Sequence, residues 1–325
     1  MRVNTSRAWV PVELVRTGER IECRWMDFTA IEIAEPFFRQ TIEKAARLQC
    51  NLPTTPITDL ILAGAQLPTP PPACVIFHVS RCGSTLLMNA LRAGGNCVAL
   101  SEPKILTDLF HFCDKLISPV GELRDVIAES IVRIYASYQG GVTPIVIKLA
   151  SWNLVSIHLL RQLWPKTPFV IMIRDPREVI VSNLKPGGWL AYRPYRQCAA
   201  RFLQVPVGEL EEMDDVGFCA RFVRRLNAAV LEFRDANTIV IDYSNFDCTI
   251  MPTVIDFIDF KPTSQDWKAM QAVFATYSKD PDKTMPFHDD RLSKLQKAAH
   301  LIGKASEELA MAQYRAMGPP TRAQI

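Results

Sequence analysis

The sequence predicts an α/β fold, with a central, mostly parallel sheet of about five strands between helical layers and a smaller N-terminal α+β subdomain. Three observations carry this. From residue 73 onward, short runs rich in Val and Ile alternate with helix-length stretches, the rhythm of βα units. One of these runs, Cys74 to Val79, passes through a tight break at Ser80–Gly83 into a pattern with Leu86, Leu87, Ala90 and Leu91 on one helical face. The chain is also long enough, at 325 residues with 48% hydrophobic and 22% charged side chains, to bury a sizeable core.

Composition narrows the function classes. A net charge of +3 and a pI of about 8.3 argue against a nucleic-acid partner, yet allow basic groups to gather around an anionic ligand. The nine cysteines are scattered, with no CxxC pair, which fits free thiols in a reducing compartment. The opening MRVNTSRAWVPVELV has no continuous apolar stretch, and no run of 18 apolar residues occurs. A cytoplasmic protein without membrane insertion is expected.

Residues 1–72 have a separate character. VPVELVR and RIECRWMDF read as short strands, and EPFFRQTIEKAARLQC as an amphipathic helix with Phe37, Ile42, Ala45 and Leu48 on its apolar side. LPTPPP closes the segment as a stiff linker. Trp25, Phe28, Phe37 and Phe38 are expected in the core of an accessory subdomain or substrate-side arm. Residues 73–325 form the main domain, with strands expected at 73–79, 96–101, 144–149, 168–174 and 238–243. In parallel sheets ligands lie beyond the carboxyl ends of the strands, so the residues after each strand hold the chemistry.

The first such loop, Ser80-Arg81-Cys82-Gly83-Ser84-Thr85, leads from strand to helix and aims backbone N–H groups and the helix dipole at an anion. It is not a kinase-type loop, which needs Lys after its second Gly; here Ser84 and Thr85 follow Gly83. A dinucleotide fingerprint needs three glycines and this turn has one. A phosphatase loop needs an Arg where Met88 stands. The loop instead resembles the 5′-phosphosulfate loop of sulfotransferases that use 3′-phosphoadenosine 5′-phosphosulfate (PAPS). That resemblance implies a P-loop-type three-layer fold, PAPS as co-substrate, no metal, and cofactor contacts from Ser80, Arg81, Cys82, Gly83, Ser84 and Thr85.

The other strand ends extend this picture. After the second strand comes Ser101-Glu102-Pro103-Lys104. If that strand neighbours the first, Glu102 lies at the phosphate-loop edge, where a carboxylate makes sense as a general base. SEPKILTDLF looks like the segment carrying the catalytic Glu of heparan-type and tyrosyl-protein sulfotransferases. Lys148 ends the third strand and resembles the Lys that contacts the bridging oxygen of PAPS in cytosolic sulfotransferases. Those enzymes place a His two residues later, where this chain has Ala150. That departure leaves Glu102 as the base, with Lys148 and Arg81 as its catalytic companions. After the fourth strand, IRDPREVIVS gives Arg174 a planar fork for a dianionic phosphate and Ser182 a hydroxyl donor. The spacing resembles the 3′-phosphate motif of PAPS enzymes. Asp175, Pro176 and Glu178 fit an N-cap, N1 and capping-box pattern.

Three features remain. Residues 185–215 break the rhythm and read as a long mobile lid, whose Trp189, Tyr192, Arg193, Tyr195 and Arg196 either meet an acceptor or pack the lid down. IDYSNF resembles the family's Tyr-containing strand end and makes Tyr243 a candidate wall for the adenine, while Lys279 and Lys283 are candidates to close over the 3′-phosphate. His78 reads as a core residue and Cys82 as a small loop residue whose thiol a helix N-terminus can acidify. Taken together, the residues predict sulfuryl transfer from PAPS to a hydroxyl or amine of a small-molecule, glycan or peptide acceptor. A P-loop phosphotransferase and a non-catalytic nucleotide-binding protein are the alternatives.

Overall fold

The five expected strands of the main domain form one sheet. In the computed structural model, which describes residues 8–318 apart from 19, 50–51, 69, 96, 112–120, 234, 281–284 and 287–288, an N-terminal three-stranded sheet comes first in the chain. It comprises β1 (Trp9–Thr17), β2 (Arg20–Asp27) and β3 (Thr54–Pro56). The main sheet follows as β4 (Cys74–His78), β5 (Val98–Ser101), β6 (Ile145–Lys148), β7 (Phe169–Ile173) and β8 (Thr238–Asp242). Its order is β5-β6-β4-β7-β8 and every pairing is parallel. Nearly every residue of these strands is buried. Both faces are therefore covered by helices, and the strands read as unbroken apolar runs rather than alternating ones.

The order places β4 at the centre. From it the chain runs to the edge strand β5, returns through β6, and then crosses to β7 and β8 on the other side. The carboxyl end of β4 is thus a topological switch point, where the connections leave in opposite directions and open a crevice. One expectation is corrected here: β5 does not neighbour β4, because β6 lies between them. Glu102 still reaches the crevice. Its backbone N–H donates to the Lys148 carbonyl at 2.6 Å, continuing the β5–β6 register in which Ser101 faces Lys148.

The helix that follows β7, Pro176–Asn183, starts as expected, with Asp175 accepting from the Arg177 N–H and Pro176 in the first position. Glu178 does not close a capping box. It is buried and paired with Arg174, and that charge pairing overrides the local pattern.

The N-terminal sheet is antiparallel, and its strand β3 and the helix Ile57–Ala65 carried no sequence signal that was read. This arm shares one continuous core with the main sheet, to which Val10, Trp25, Phe28, Phe38 and Leu60 all contribute. The contacts that dock it include two close ones. The Tyr135 hydroxyl donates to the Pro11 carbonyl at 2.7 Å, and Gly64 lies so close to the helix Gly121–Ser137 that a Cβ there would stand 2.5 Å from the Ser130 Cβ. Segment 185–215 is not an open loop. It carries a short 3₁₀ turn, Trp189–Tyr192, and two helices, Arg196–Leu203 and Val207–Glu212. Trp189 is buried and stacks on Phe222 at 4.4 Å.

Because Gly64 is where the arm meets the main body, Gly64→Val is expected to force the two helices apart. It should cost about 3 kcal/mol, read as a lower midpoint in chemical denaturation. An unchanged midpoint would mean that the arm is held elsewhere.

Candidate active site

A cleft of about 1120 Å³ opens along the carboxyl ends of the main strands and is lined by loop 80–85, Glu102, Arg174, Ser182 and Tyr243. Its floor is a loop of unusual backbone. Ser80 (φ 68°), Arg81 (φ 52°) and Gly83 (φ 80°) all lie in the left-handed region. For a residue with a Cβ this costs free energy and turns successive N–H groups toward one concavity. The helix Ser84–Ala93 starts there with no side-chain cap at its N-cap residue, Gly83.

His78 and Cys82 hold the loop from below. His78 is buried at the end of β4, and its Nδ1 accepts the Ser80 N–H at 3.0 Å. The imidazole proton therefore sits on Nε2, which lies 3.4 Å from Glu102 Oε1. Burial lowers the His78 pKa and outweighs the pull of Glu102, keeping the ring neutral. His78 is thus part of the site, although its place inside a strand reads as plain core. The Cys82 thiol turns away from the cleft toward the Met172 carbonyl at 3.2 Å. Burial raises its pKa to about 11, the reverse of the acidification the loop suggested, and leaves it a small inert residue.

At the β6 end, Lys148 is almost wholly buried. Its Nζ lies 2.5 Å from Glu102 Oε1 and 3.4 Å from Thr85 Oγ1, and 4.9 Å above the Phe37 ring. Burial pushes the Glu102 carboxyl up, but the Lys148 ammonium, aided by His78, outweighs it and holds the group well below the usual carboxylate range. Glu102 is also left-handed, at φ 56°. Of the four N-terminal aromatics expected in the core, Trp25, Phe28 and Phe38 are buried. Phe37 instead faces the cleft and spans Lys148 and Lys279, whose Nζ lies 5.9 Å from the ring.

Lys279 belongs to the loop end of the cleft. Its turn is fastened by Asn89, which donates to the Ser278 carbonyl at 2.7 Å. Burial, with Arg81 and Lys148 beside it, lowers its pKa to about 7. Lys283, its companion in the sequence reading, lies outside the described residues.

On the other side, Arg174 is committed within the protein. It forks onto Glu178, donates from Nη1 to the Arg81 carbonyl at 2.8 Å, and lies 4.1 Å from the Tyr243 ring. It therefore holds the left-handed loop in shape as well as lining the cleft. Tyr243 packs against the loop glycine, where a Cβ on Gly83 would meet its ring at 2.8 Å. Ser182 is buried, lines the cleft, and has no partner for its hydroxyl among the described residues. Lys185, Asp290 and Lys294 join this end, with Lys294 Nζ 2.7 Å from Asp290. Sequence reasoning missed Lys185 and Lys294. Lys294 sits on a late amphipathic helix, Arg291–Leu301, whose docking no local pattern reveals. In segment 185–215, Trp189 packs inward, whereas Tyr192 and Tyr195 line the mouth.

Among the described residues, no group of His, Cys, Asp and Glu is arranged to hold a metal, and no helix is long and apolar enough to cross a membrane.

No family model and no curated protein matches the chain. Solved structures to which it is similar include the sulfotransferase domain from the curacin biosynthetic pathway, at 14% identity and a TM-score of 0.46 over 76% of this chain and 99% of that one. The sulfotransferase domain from the Synechococcus PCC 7002 olefin synthase aligns at 14% identity and a TM-score of 0.45, over 78% and 96%. Sulfotransferase STF9 from Mycobacterium avium aligns at 12% identity and a TM-score of 0.49, over 82% of each chain.

The Lys148–Glu102 pair yields a stability test. Glu102 is ionised far below the ordinary unfolded pKa of about 4.3, so its contribution is complete above that value and fades as pH falls toward the folded pKa. Glu102→Gln strands a buried ammonium, and at pH 7 should cost about 3 kcal/mol. The gap from wild type should narrow in denaturation curves taken below pH 4; a gap that stays constant would show that the pair is not what stabilises this edge.

Proposed function

We propose that the protein is a sulfotransferase, moving the sulfuryl group of PAPS to an acceptor hydroxyl or amine with Glu102 as the general base. The observation that carries this reading is the convergence, at three adjacent strand ends, of a left-handed amide loop after β4, a buried Lys148 after β6, and Arg174 with an unpartnered buried Ser182 hydroxyl after β7. The donor set suits two separate phosphate groups. Lys148 belongs to a neighbouring strand rather than to the loop itself, unlike the Lys of a kinase-type loop.

PAPS would supply the activated sulfuryl group. The amides of Gly83–Thr85, with Arg81 and Lys279, would hold its 5′-phosphosulfate end. Ser182, Arg174 and Lys294 would take the 3′-phosphate, and Tyr243 would form a wall for the base. Sulfuryl transfer, like phosphoryl transfer, is mainly a matter of positioning and of stabilising charge on the departing oxygen. Lys148 is placed to meet that charge. As Lys148 turns to the leaving phosphate, Glu102 loses the cation that depresses its pKa and becomes basic enough to take the acceptor proton. The acceptor oxygen then bonds sulfur while the electron pair of the breaking bond stays with the 5′-phosphate. His78, neutral and on the far side of Glu102, orients the carboxylate.

Calorimetric titration with 3′-phosphoadenosine 5′-phosphate, against AMP and ATP–Mg, is the deciding experiment. Binding that depends on the 3′-phosphate is expected; preference for ATP–Mg would overturn the reading in favour of a phosphotransferase. Because the Ser182 hydroxyl has no internal partner, Ser182→Ala should weaken that binding about tenfold while leaving AMP affinity and stability unchanged. The Lys279 ammonium, with a free pKa of about 7, should be driven to its charged form by the bound dianion. Proton uptake is then expected above pH 7, with affinity falling as pH rises, measurable in buffers of different ionisation enthalpy; no net proton uptake at pH 8 would place Lys279 away from the ligand. In turnover assays with labelled PAPS, Glu102→Gln should lose roughly 10²-fold in kcat with binding retained. Unchanged turnover would remove Glu102 as the base.

A further inference from the structure

We infer that the acceptor is an uncharged, largely apolar alcohol, seated in the arm of the cleft on the β5–β6 side between the N-terminal sheet and the 189–195 segment. This rests on the sulfotransferase reading and gives that site its substrate class.

The strand order divides the cleft. Adjacent strands lie about 4.8 Å apart, so the five ends span roughly 19 Å, with Glu102 at the β5 edge and Tyr243 at the β8 edge. The amide loop is central, and the second phosphate-binding cluster, Arg174, Ser182 and Lys294, lies toward β7 and β8. A donor laid from the loop toward that cluster leaves the Glu102 side for the acceptor.

The chemistry of that side is distinct. Its walls include Val12, Met26, Phe37, Ile42, Leu52 and Tyr192. Tyr192 stands edge-on to Trp152 with ring centroids 4.5 Å apart, which fixes the aromatic wall beside the turn that follows β6. The charged groups found there already face one another. Arg24 pairs with Glu13, Lys104 with Asp108 and, at 3.4 Å, with Glu13, and Arg39 with Glu43. An ionic acceptor would have to break such pairs to gain a partner, whereas an apolar one covers only apolar surface. At the loop the balance differs: burial first, and then the charges of Arg81 and Lys148, lower the Lys279 pKa. Among the described residues of the cleft, Glu102 is the carboxylate that stands beside the anion loop at the strand ends, and what it addresses as a base must carry a removable proton. A hydroxyl on an apolar body meets both requirements.

The test uses the full chain with labelled PAPS and the straight primary alcohols from butanol to octanol. Glucose and an acidic tyrosine-containing peptide serve as polar and charged competitors. Transfer is expected to the alcohols, with kcat/KM rising about fourfold per methylene until the arm is filled. Ile42→Glu, at a half-buried helical position, should abolish that dependence on chain length while leaving 3′-phosphoadenosine 5′-phosphate affinity unchanged. In parallel, saturation-transfer NMR should detect octanol bound to the nucleotide-loaded protein and not to the Ile42→Glu variant. Faster transfer to glucose or to the peptide than to octanol overturns the assignment, as does an absence of both alcohol transfer and octanol contact in a protein that binds the nucleotide. Failure to bind the 3′-phosphorylated nucleotide at all would be a separate result, and it would overturn the donor reading on which the acceptor class rests.

Discussion

A lysine ammonium buried at the end of an apolar parallel strand must be given a counter-charge, and much of this structure follows from how that is done. Lys148 is 1% exposed. An unpaired charge there would cost several kcal/mol, so β5 is placed beside β6 in a register that delivers Glu102 to it. Reaching Lys148 puts the Glu102 backbone in the left-handed region, a strain that the surrounding packing must sustain. His78 then lies under the same carboxylate and, through its other nitrogen, holds the Ser80 amide. Glu102, Lys148 and the loop after β4 are therefore one mechanical unit.

The same unit bears on the base proposed above, a carboxylate that is strongly ion-paired at rest. In the resting arrangement Glu102 is too acidic to take a proton from a hydroxyl, because Lys148 stabilises its charged form. The ammonium has a second direction available, toward the loop, where Thr85 Oγ1 already lies 3.4 Å away. A dianion seated on the loop competes for Lys148, and whatever charge Lys148 gives to it is withdrawn from Glu102. Under the proposed function, basicity would then arise only in the loaded site. Phe37, over both Lys148 and Lys279, limits solvent at this point and ties the N-terminal arm to the chemistry.

Local signals made much of this legible in the sequence. The five main strands fall within two residues of their expected bounds, because strands buried on both faces are unbroken Val/Ile runs that need no partner to be recognised. The loop before Ser84 and the Asp175–Pro176 helix start were likewise set by neighbours in sequence. What escaped was non-local. Strand order was not legible, so the step from β5 to β4 was misjudged. Glu178 had the spacing of a capping residue, yet Arg174, four residues back, takes it into the interior. His78 reads as core because a strand ending in His gives no sign of what stands across from it. The 185–215 stretch carries glycines and prolines that predict a loop, but Trp189 finds a stacking partner in Phe222, and that tertiary contact orders the segment.

Segment 185–215 and the N-terminal arm therefore have the same logic seen from opposite sides of the cleft. Each is anchored by buried aromatics, Trp189 and Phe202 or Trp25, Phe28 and Phe38, and each turns a nearby aromatic, Tyr192 or Phe37, into the cleft. The main sheet supplies charge, which must be placed to within fractions of an ångström and so sits on strand ends and rigid turns. The two flanking elements supply shape and apolar surface, which tolerate variation. Under the proposed function, a fold divided in this way would keep its transfer chemistry fixed while its acceptor changes. The side chains that would then alter acceptor choice are Ile42, Leu52 and Tyr192, the last of which also feels the Glu102 charge.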